Sequence, residues 1–171
     1  SKLIALMNKF GAKFIPENKK HFPLKIVSSN FPIGISYEAG TSAQLKSAVI
    51  FAALNSFGNT TIKEKVPSRD HTENMLKKNS QTIKVKKTNY KLIKIFGKNY
   101  LGKNSFQVAG DPSTAAFFTA LTLLKENTFL KIKNVGLNPT RVGFYNLLKR
   151  SGAKIKFMNV KKVNNEKIGD I

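Results

Sequence analysis

Two stretches of the sequence carry side chains that could hold an anion, and the first is residues 40–44, Gly-Thr-Ser-Ala-Gln. Ser42 has a hydroxyl and Gln44 an amide, and an alanine-rich helical pattern begins directly at these residues. The first turn of a helix offers unpaired backbone N–H groups and the positive end of the helix dipole, which favour phosphate or carboxylate. On spacing alone an ordinary N-cap, with Ser42 as the capping residue, is the commoner explanation.

The second stretch is residues 67–73, Pro-Ser-Arg-Asp-His-Thr-Glu. Arg69 could hold a phosphate or a carboxylate through two parallel hydrogen bonds, and His71 could act as a base. The structural alternative is a helix start in which Asp70 is the cap and Glu73 completes a capping box. On the local pattern, that alternative is favoured, and His71 is then a solvated residue of the first turn.

Two further predicted helix starts carry a charged residue. Asp111 precedes the helical pattern of residues 112–124, and Arg141 follows an Asn-Pro turn before the pattern of residues 142–150. Both arrangements are typical of helix capping. Arg141 could pair with a substrate or with another repeat, and a structural role is the favoured interpretation.

The chain has a net charge of +21, and only Arg69, Arg141 and Arg150 among its 30 basic residues are arginine. Surfaces that bind nucleic acid usually rely on arginine. The lysine-rich composition therefore favours the amino-acid bias of an AT-rich coding sequence as the main cause of the positive charge, with the binding of small anionic substrates as a contributing cause. The absence of cysteine excludes disulfides and thiol chemistry, and two histidines make a metal site unexpected. No signal peptide or membrane-spanning run is recognised, so a cytoplasmic protein is predicted.

The elements that must position these residues repeat with a period of about 70 residues. Helical patterns at 3–10, 72–79 and 142–150 end near Gly11, Ser80 and Gly152, and each precedes a strand-like run, at 12–15, 82–85 and 153–157. Helices at 42–54 and 112–124 are apolar on nearly all sides and are predicted to be buried, with strands following at 60–62 and 129–132. Residues 90–100 predict an exposed, lysine-guarded hairpin that turns at 97–99. This alternation predicts an α/β repeat fold.

Four segments of the sequence resemble, in order and spacing, segments of the 5-enolpyruvylshikimate-3-phosphate synthase family. They are residues 42–48 (SAQLKSA), 68–76 (SRDHTENML), 110–118 (GDPSTAAFF) and 136–141 (GLNPTR). The resemblance implies an α/β (α+β) fold, the enolpyruvyl transferase fold of repeated βαβαββ units (an inside-out α/β barrel), incomplete here. Residues 1–108 are then expected to be the C-terminal part of the first, shikimate-3-phosphate-binding domain, and residues 109–171 the beginning of the second.

The resemblance also implies a reaction: transfer of the enolpyruvyl group of phosphoenolpyruvate to the 5-hydroxyl of shikimate-3-phosphate, in aromatic amino acid biosynthesis. The residues expected to bind shikimate-3-phosphate are Ser42, Ala43, Gln44, Ser68 and Arg69. Gln44 is also expected to approach phosphoenolpyruvate, and Asp111 is expected to lie near the cleft. The family's lysine–serine pair and its acid/base Asp and Glu have no counterpart here, so no catalytic residue is assigned. We therefore expect an internal piece of the enzyme that is inactive alone.

Other functions remain open on the sequence. UDP-N-acetylglucosamine enolpyruvyl transferase shares the fold but lacks this pairing of Ser-Ala-Gln with Ser-Arg-Asp-His, and it commonly uses a cysteine. A basic nucleic-acid-binding or RNA-processing module of similar fold would bind with a steep salt dependence. For the shikimate enzyme the resemblance implies a reaction without metal or cofactor, and we expect a monomer without nucleic-acid or membrane partners. Exposed apolar helix faces predict self-association of the piece.

Overall fold

The structure, a computed structural model, describes residues 2–16, 21 and 23–171 and divides into two compact units, Ser1–Lys103 and Asn104–Ile171. The first unit contains α1 (Lys2–Lys9), β1 (Lys13–Ile15), β2 (Lys25–Val27), β3 (Ser36–Ala39), α2 (Ala43–Leu54), β4 (Asn59–Glu64), α3 (His71–Leu76), β5 (Ile83–Lys87) and β6 (Lys91–Phe96). The second contains α4 (Pro112–Leu123), β7 (Val135–Gly136), α5 (Gly143–Arg150), β8 (Met158–Val163) and β9 (Glu166–Asp170). The five predicted helices are confirmed, with small differences at their ends. The assignment of 1–108 and 109–171 to two enzyme domains stays a prediction.

A four-stranded sheet with the order β3–β4–β6–β5 forms the centre of the first unit. Ile62 of β4 and Ile93 and Ile95 of β6 are fully buried, and α2 packs Val49 and Ile50 into the same core. The branched aliphatic side chains at alternate strand positions face α2, and their burial stabilises the packing of this apolar helix on the sheet.

The direction of β3 and β4 determines where α2 begins. These two strands are parallel, and Ala39 at the end of β3 is paired with Glu64 at the end of β4. The connection to α2 and the loop that follows β4 therefore both leave the sheet at the carboxyl ends of these two strands. The two stretches singled out in the sequence, 40–44 and 67–73, belong to these two connections.

The second unit is built around Tyr145 of α5. This side chain is fully buried, and its hydroxyl donates to the carbonyl oxygen of Pro112 at 2.6 Å, which joins α5 to the first turn of α4. A three-stranded sheet with the order β7–β9–β8 completes the unit. Val135 and Leu137 pack into the same small core.

The prediction that α4 is buried on nearly all sides is wrong. Its buried residues are Pro112, Ala115 and Thr119, whereas Phe117 is 77% exposed and Leu121 67% exposed. The reason is the size of the second unit, in which one other helix, α5, and three short strands are available to cover α4 and bury only one of its faces. The corresponding prediction for α2 holds on its sheet side, where the larger sheet lies.

Three predicted strand features also differ from the structure. The runs 129–132 and 153–157 form no strand, because neither has a neighbouring strand to build a ladder within the described chain; Ile132 pairs only with Ile171, through two 2.9 Å backbone bonds. The hairpin turns at 88–90, between β5 and β6, rather than at 97–99. β6 is consequently an inner strand of the four-stranded sheet, and β5 is the lysine-bearing edge of that sheet.

Gly97 allows close packing where β6 ends beneath the carboxyl end of α2. A Cβ atom at this position would lie 1.9 Å from the carbonyl oxygen of Ser56 and 2.8 Å from that of Ala53. We expect Gly97→Ala to lower the free energy of unfolding by at least about 2 kcal/mol, because backbone atoms have to move. Urea denaturation followed by circular dichroism measures this. Gly102→Ala is the matched control, since its Cβ would approach nothing closer than 4.0 Å. Equal stability of the two variants would contradict the packing argument.

Candidate functional site

The first turn of α2 is capped as the sequence predicts. Ser42 has extended backbone angles, φ −83° and ψ 103°, and its hydroxyl accepts a 3.3 Å hydrogen bond from the N–H of Leu45. Ala43 is buried and Gln44 is exposed at the start of the helix. The side chain of Ser42 is thus engaged with the helix, while Gln44 is directed to solvent.

Gln44 and Arg69 line the same surface depression, which has a volume of about 410 Å³. The hydroxyls of Ser47 on α2 and Thr72 on α3 lie 2.7 Å apart and connect the two helices beside it. The complete lining consists of Ala43, Gln44, Ser47, Ala48, Phe51, Arg69, His71 and Thr72. The fold therefore brings the two predicted stretches together and combines a helix N-terminus with an exposed guanidinium group.

Ser68 faces the interior, unlike its neighbour Arg69. Its backbone N–H and its hydroxyl both donate to Oε1 of Glu64, at 3.1 Å and 2.6 Å. Ser68 is buried, whereas Arg69 is exposed. The Ser68 hydroxyl is consequently hydrogen-bonded to Glu64, and a ligand in the depression would contact Arg69 rather than Ser68.

Behind the depression lie four charged side chains, Lys46, Glu64, Glu73 and Lys91, which we call the buried charge cluster. Nζ of Lys46 lies 2.8 Å from Glu64 Oε1 and 2.7 Å from Glu73 Oε1. Nζ of Lys91 lies 3.2 Å from Glu64 Oε2 and 3.6 Å from Glu73 Oε1. The Lys46 side chain has 0% exposure, which is compatible with a lysine only when it is paired.

The cluster was not predicted from the sequence, although a signal for it exists. Lys46 interrupts the apolar helix α2 at a position one turn before the buried Ile50 and Val49. Glu64 occupies the same face of β4 as the buried Ile62. A charge on a core face requires an opposite charge nearby, and the capping-box interpretation of Glu73 leaves Lys46 without one.

The predicted capping box at α3 is wrong. Asp70 is the N-cap residue but makes no side-chain capping hydrogen bond, and its Oδ1 instead accepts from Asn74 Nδ2 at 3.2 Å. Glu73 is buried and pairs with Lys46. The desolvated lysine attracts this carboxylate more strongly than an exposed backbone N–H does, which explains why the local pattern was misleading.

The pairing shifts the pKa values of two cluster residues. Burial raises the pKa of the Glu64 carboxyl, but hydrogen bonds from Lys46, Ser68 and Lys91 and the charge of Lys46 outweigh burial, so the pKa lies below the ordinary 4.5. Burial lowers the pKa of Lys91, but the bond to Glu64 and the charges of Glu73 and Glu64 raise it above 10.5. Both groups are therefore held in their charged forms.

Asp111 and Arg141 form a separate pair within the second unit. Asp111 caps α4 by accepting from the N–H of Ser113 at 3.2 Å, and it also forms an ion pair with Nη2 of Arg141. The backbone bond from Ser113 lowers the pKa of Asp111, and the charge of Arg141 adds to this effect. The favoured structural interpretation of Arg141 agrees with this ion pair.

Comparisons with known proteins identify the relatives of this chain. Residues 1–170 match the family model of EPSP synthase (3-phosphoshikimate 1-carboxyvinyltransferase). A 3-phosphoshikimate 1-carboxyvinyltransferase of Petrotoga mobilis is 41% identical over 99% of this chain and 39% of its own length, and that of Endomicrobium trichonymphae is 40% identical with the same coverage. A solved structure of EPSP synthase from Acinetobacter baumannii is 32% identical, with a TM-score of 0.79 over 99% of this chain and 38% of that one.

These comparisons confirm the predicted resemblance and the α/β fold class, a partial enolpyruvyl transferase fold. The chain spans about 39% of the length of the curated relatives that it matches. Within the described residues, no helix is long and apolar enough to cross a membrane, and no group of three or more metal-binding side chains occurs.

The lowered pKa of Glu64 makes stability depend on pH. A carboxyl whose pKa is lower in the folded state stabilises the fold above its unfolded pKa, and this contribution is lost as the pH falls through the folded pKa. We expect Glu64→Gln to lower the free energy of unfolding by about 3 kcal/mol near pH 7, because it leaves Lys46 undercompensated. We also expect it to flatten the loss of stability as the pH falls below about 5.

Urea denaturation at a series of pH values checks both effects. Glu38→Gln is the control, since it removes the same charge from an exposed pair with Lys65. It should leave the stability near pH 7 almost unchanged. A Glu64→Gln variant that follows the wild-type acid profile would show that Glu64 does not carry the dependence.

Proposed function

The chain belongs to the EPSP synthase family, and we propose from this premise that it forms part of an enzyme that transfers the enolpyruvyl group of phosphoenolpyruvate to shikimate-3-phosphate. In the reaction, the 5-hydroxyl oxygen of shikimate-3-phosphate forms the new bond to the enolpyruvyl carbon. The bond from that carbon to the phosphate oxygen breaks, the hydroxyl proton is released, and inorganic phosphate leaves. The described residues supply substrate-binding groups, and the groups that transfer protons are expected elsewhere in the enzyme.

The observation that carries this proposal is that Gln44 and Arg69 line one depression at the N-terminus of α2. Both substrates are anions, and a helix N-terminus combined with a guanidinium group is suited to a phosphate. The exposed Gln44 amide can reach a hydroxyl or a carboxylate, which fits its expected contact with both substrates. Ala43 would contribute backbone rather than side-chain contacts.

The other predicted site residues have less direct roles in the proposal. Ser42 organises the helix turn through its cap, and Ser68 holds the main chain beside Arg69 through Glu64. Asp111 is proposed to lie near the cleft, where its pair with Arg141 supports the start of α4. A cytoplasmic, monomeric full-length enzyme remains part of the same proposal.

The family match favours the shikimate enzyme over the UDP-N-acetylglucosamine enzyme and over a nucleic-acid-binding module. The lysines of β5 lie on a sheet edge, where charged side chains commonly prevent strands from associating. That role explains their exposure without a polyanionic partner.

Arg69 should contribute to affinity through the shape of its guanidinium group as well as its charge. We expect Arg69→Lys to weaken binding of shikimate-3-phosphate by about tenfold, because lysine keeps the charge but loses the two-pronged hydrogen bond. Titration calorimetry on the 171-residue chain measures the dissociation constant. Arg150→Lys, at an exposed arginine of the second unit, is the matched control and should bind like the wild type. Unchanged affinity of Arg69→Lys would remove Arg69 from the site.

The chain alone should not complete the reaction. We expect that mixing it with phosphoenolpyruvate and shikimate-3-phosphate releases phosphate no faster than the substrates do without protein, because it spans about 39% of its enzymatic relatives. A continuous assay for inorganic phosphate measures the rate. Turnover of about 1 per second or more, in the range of ordinary enzymes, would overturn this expectation.

A further inference from the structure

We propose that the buried charge cluster sets the position of Gln44 relative to Arg69, so that Lys46 and Glu64 are positioning residues for the anion site. This inference rests on the proposed function, since it concerns the same site. It assigns a role to four residues of which none lines the depression. Lys46 has no exposed side-chain surface, so it acts through other residues rather than by touching a ligand.

The cluster forms a continuous link between the two walls of the depression. Lys46 follows Gln44 by two residues in the first turn of α2, and its Nζ is 2.8 Å from Glu64 Oε1. The same Oε1 atom accepts both hydrogen bonds of Ser68, and Ser68 is bonded covalently to Arg69. The link from Gln44 to Arg69 therefore contains only two noncovalent steps.

A second branch of the cluster holds α3 against α2. Lys46 also pairs with Glu73 at 2.7 Å, and Glu73 lies on the helix that follows Arg69. The Ser47–Thr72 hydroxyl contact at 2.7 Å runs parallel to this ion pair. Arg69 thus lies between two anchored points, Ser68 on one side and α3 on the other.

Charge balance argues for positioning rather than for direct attraction of the ligand. The cluster contains two cations and two carboxylates, so its own net charge is zero, and little field remains to attract an anion. Buried ion pairs are also poor sources of stability compared with apolar packing of the same volume. What they provide is directional contact, which specifies the relative placement of the elements that carry them.

Lys46→Met in the 171-residue chain tests this inference, because methionine keeps the apolar stem and removes the ammonium group. We expect the dissociation constant for shikimate-3-phosphate, measured by titration calorimetry, to rise about tenfold or more. Lys65→Met is the matched control, since Lys65 forms an exposed pair with Glu38, with side chains 60% and 59% exposed. It should bind within about twofold of the wild type.

A double variant, Lys46→Met with Glu64→Gln, separates positioning from stability. It leaves Lys91 paired with Glu73, so that charge balance returns and the urea midpoint should recover from that of Lys46→Met. The link between α2 and Ser68 stays broken, so the dissociation constant should remain high. Recovery of the affinity together with the urea midpoint would mean that the cluster is merely structural, and the inference would fail.

The experiment distinguishes failure of this inference from failure of the proposed function. If the wild type binds and Lys46→Met binds equally well, the positioning role is refuted and the proposed function stands. If the wild type does not bind, the substrate site proposed for Gln44 and Arg69 fails, and the backbone amide shifts of Ser68 and Arg69 in nuclear magnetic resonance spectra then decide on the positioning role. These shifts should move in Lys46→Met and not in Lys65→Met; unmoved shifts refute the inference.

Discussion

Removing a charged side chain from water costs several kcal/mol, and the first unit does this to Lys46, Glu64 and Glu73 at a single place. The cost is offset only where opposite charges meet closely, here at 2.7 Å and 2.8 Å. This requirement constrains α2 more strictly than apolar packing does. Its apolar residues lie on nearly every side, so hydrophobic burial alone leaves its rotation poorly specified. A rotation by one residue, about 100°, would carry Lys46 away from Glu64 and Glu73 and leave these buried carboxylates without its charge.

The same constraint decides which residues of the 65–70 loop face solvent. Glu64 is the last residue of β4, and its buried carboxylate accepts hydrogen bonds from the backbone N–H and the hydroxyl of Ser68. Arg69, the next residue, is exposed and lines the depression. The proposed binding surface and the buried charge cluster are therefore contacted by adjacent residues of one loop. This explains why Ser68 and Arg69, neighbours in a single sequence motif, have different physical roles.

Helix periodicity and cap chemistry made most of the helical framework predictable, because both depend on residues close in sequence. Ser42 at the start of α2 is an example. The failures depend on contacts between distant residues. Glu73 has the spacing of a capping box, but its partner Lys46 is 27 positions away in another helix. The exposure of Phe117 on α4 depends on how much of the second unit is available to cover it. The placement of Gln44 beside Arg69 required the parallel pairing of β3 and β4, which no local pattern reveals.

The net charge of +21 does not by itself produce a selective site. Charges on the surface attract any anion, and salt at physiological strength screens them beyond about 8 Å. The buried charge cluster is neutral and adds little to that attraction. Selectivity for a particular phosphate ester therefore has to come from contacts at hydrogen-bond distance, where a displacement of about 1 Å is costly. On our proposal the placement of Gln44 and Arg69 provides such contacts, so a neutral set of buried ions contributes to this site what the excess of lysine around it cannot.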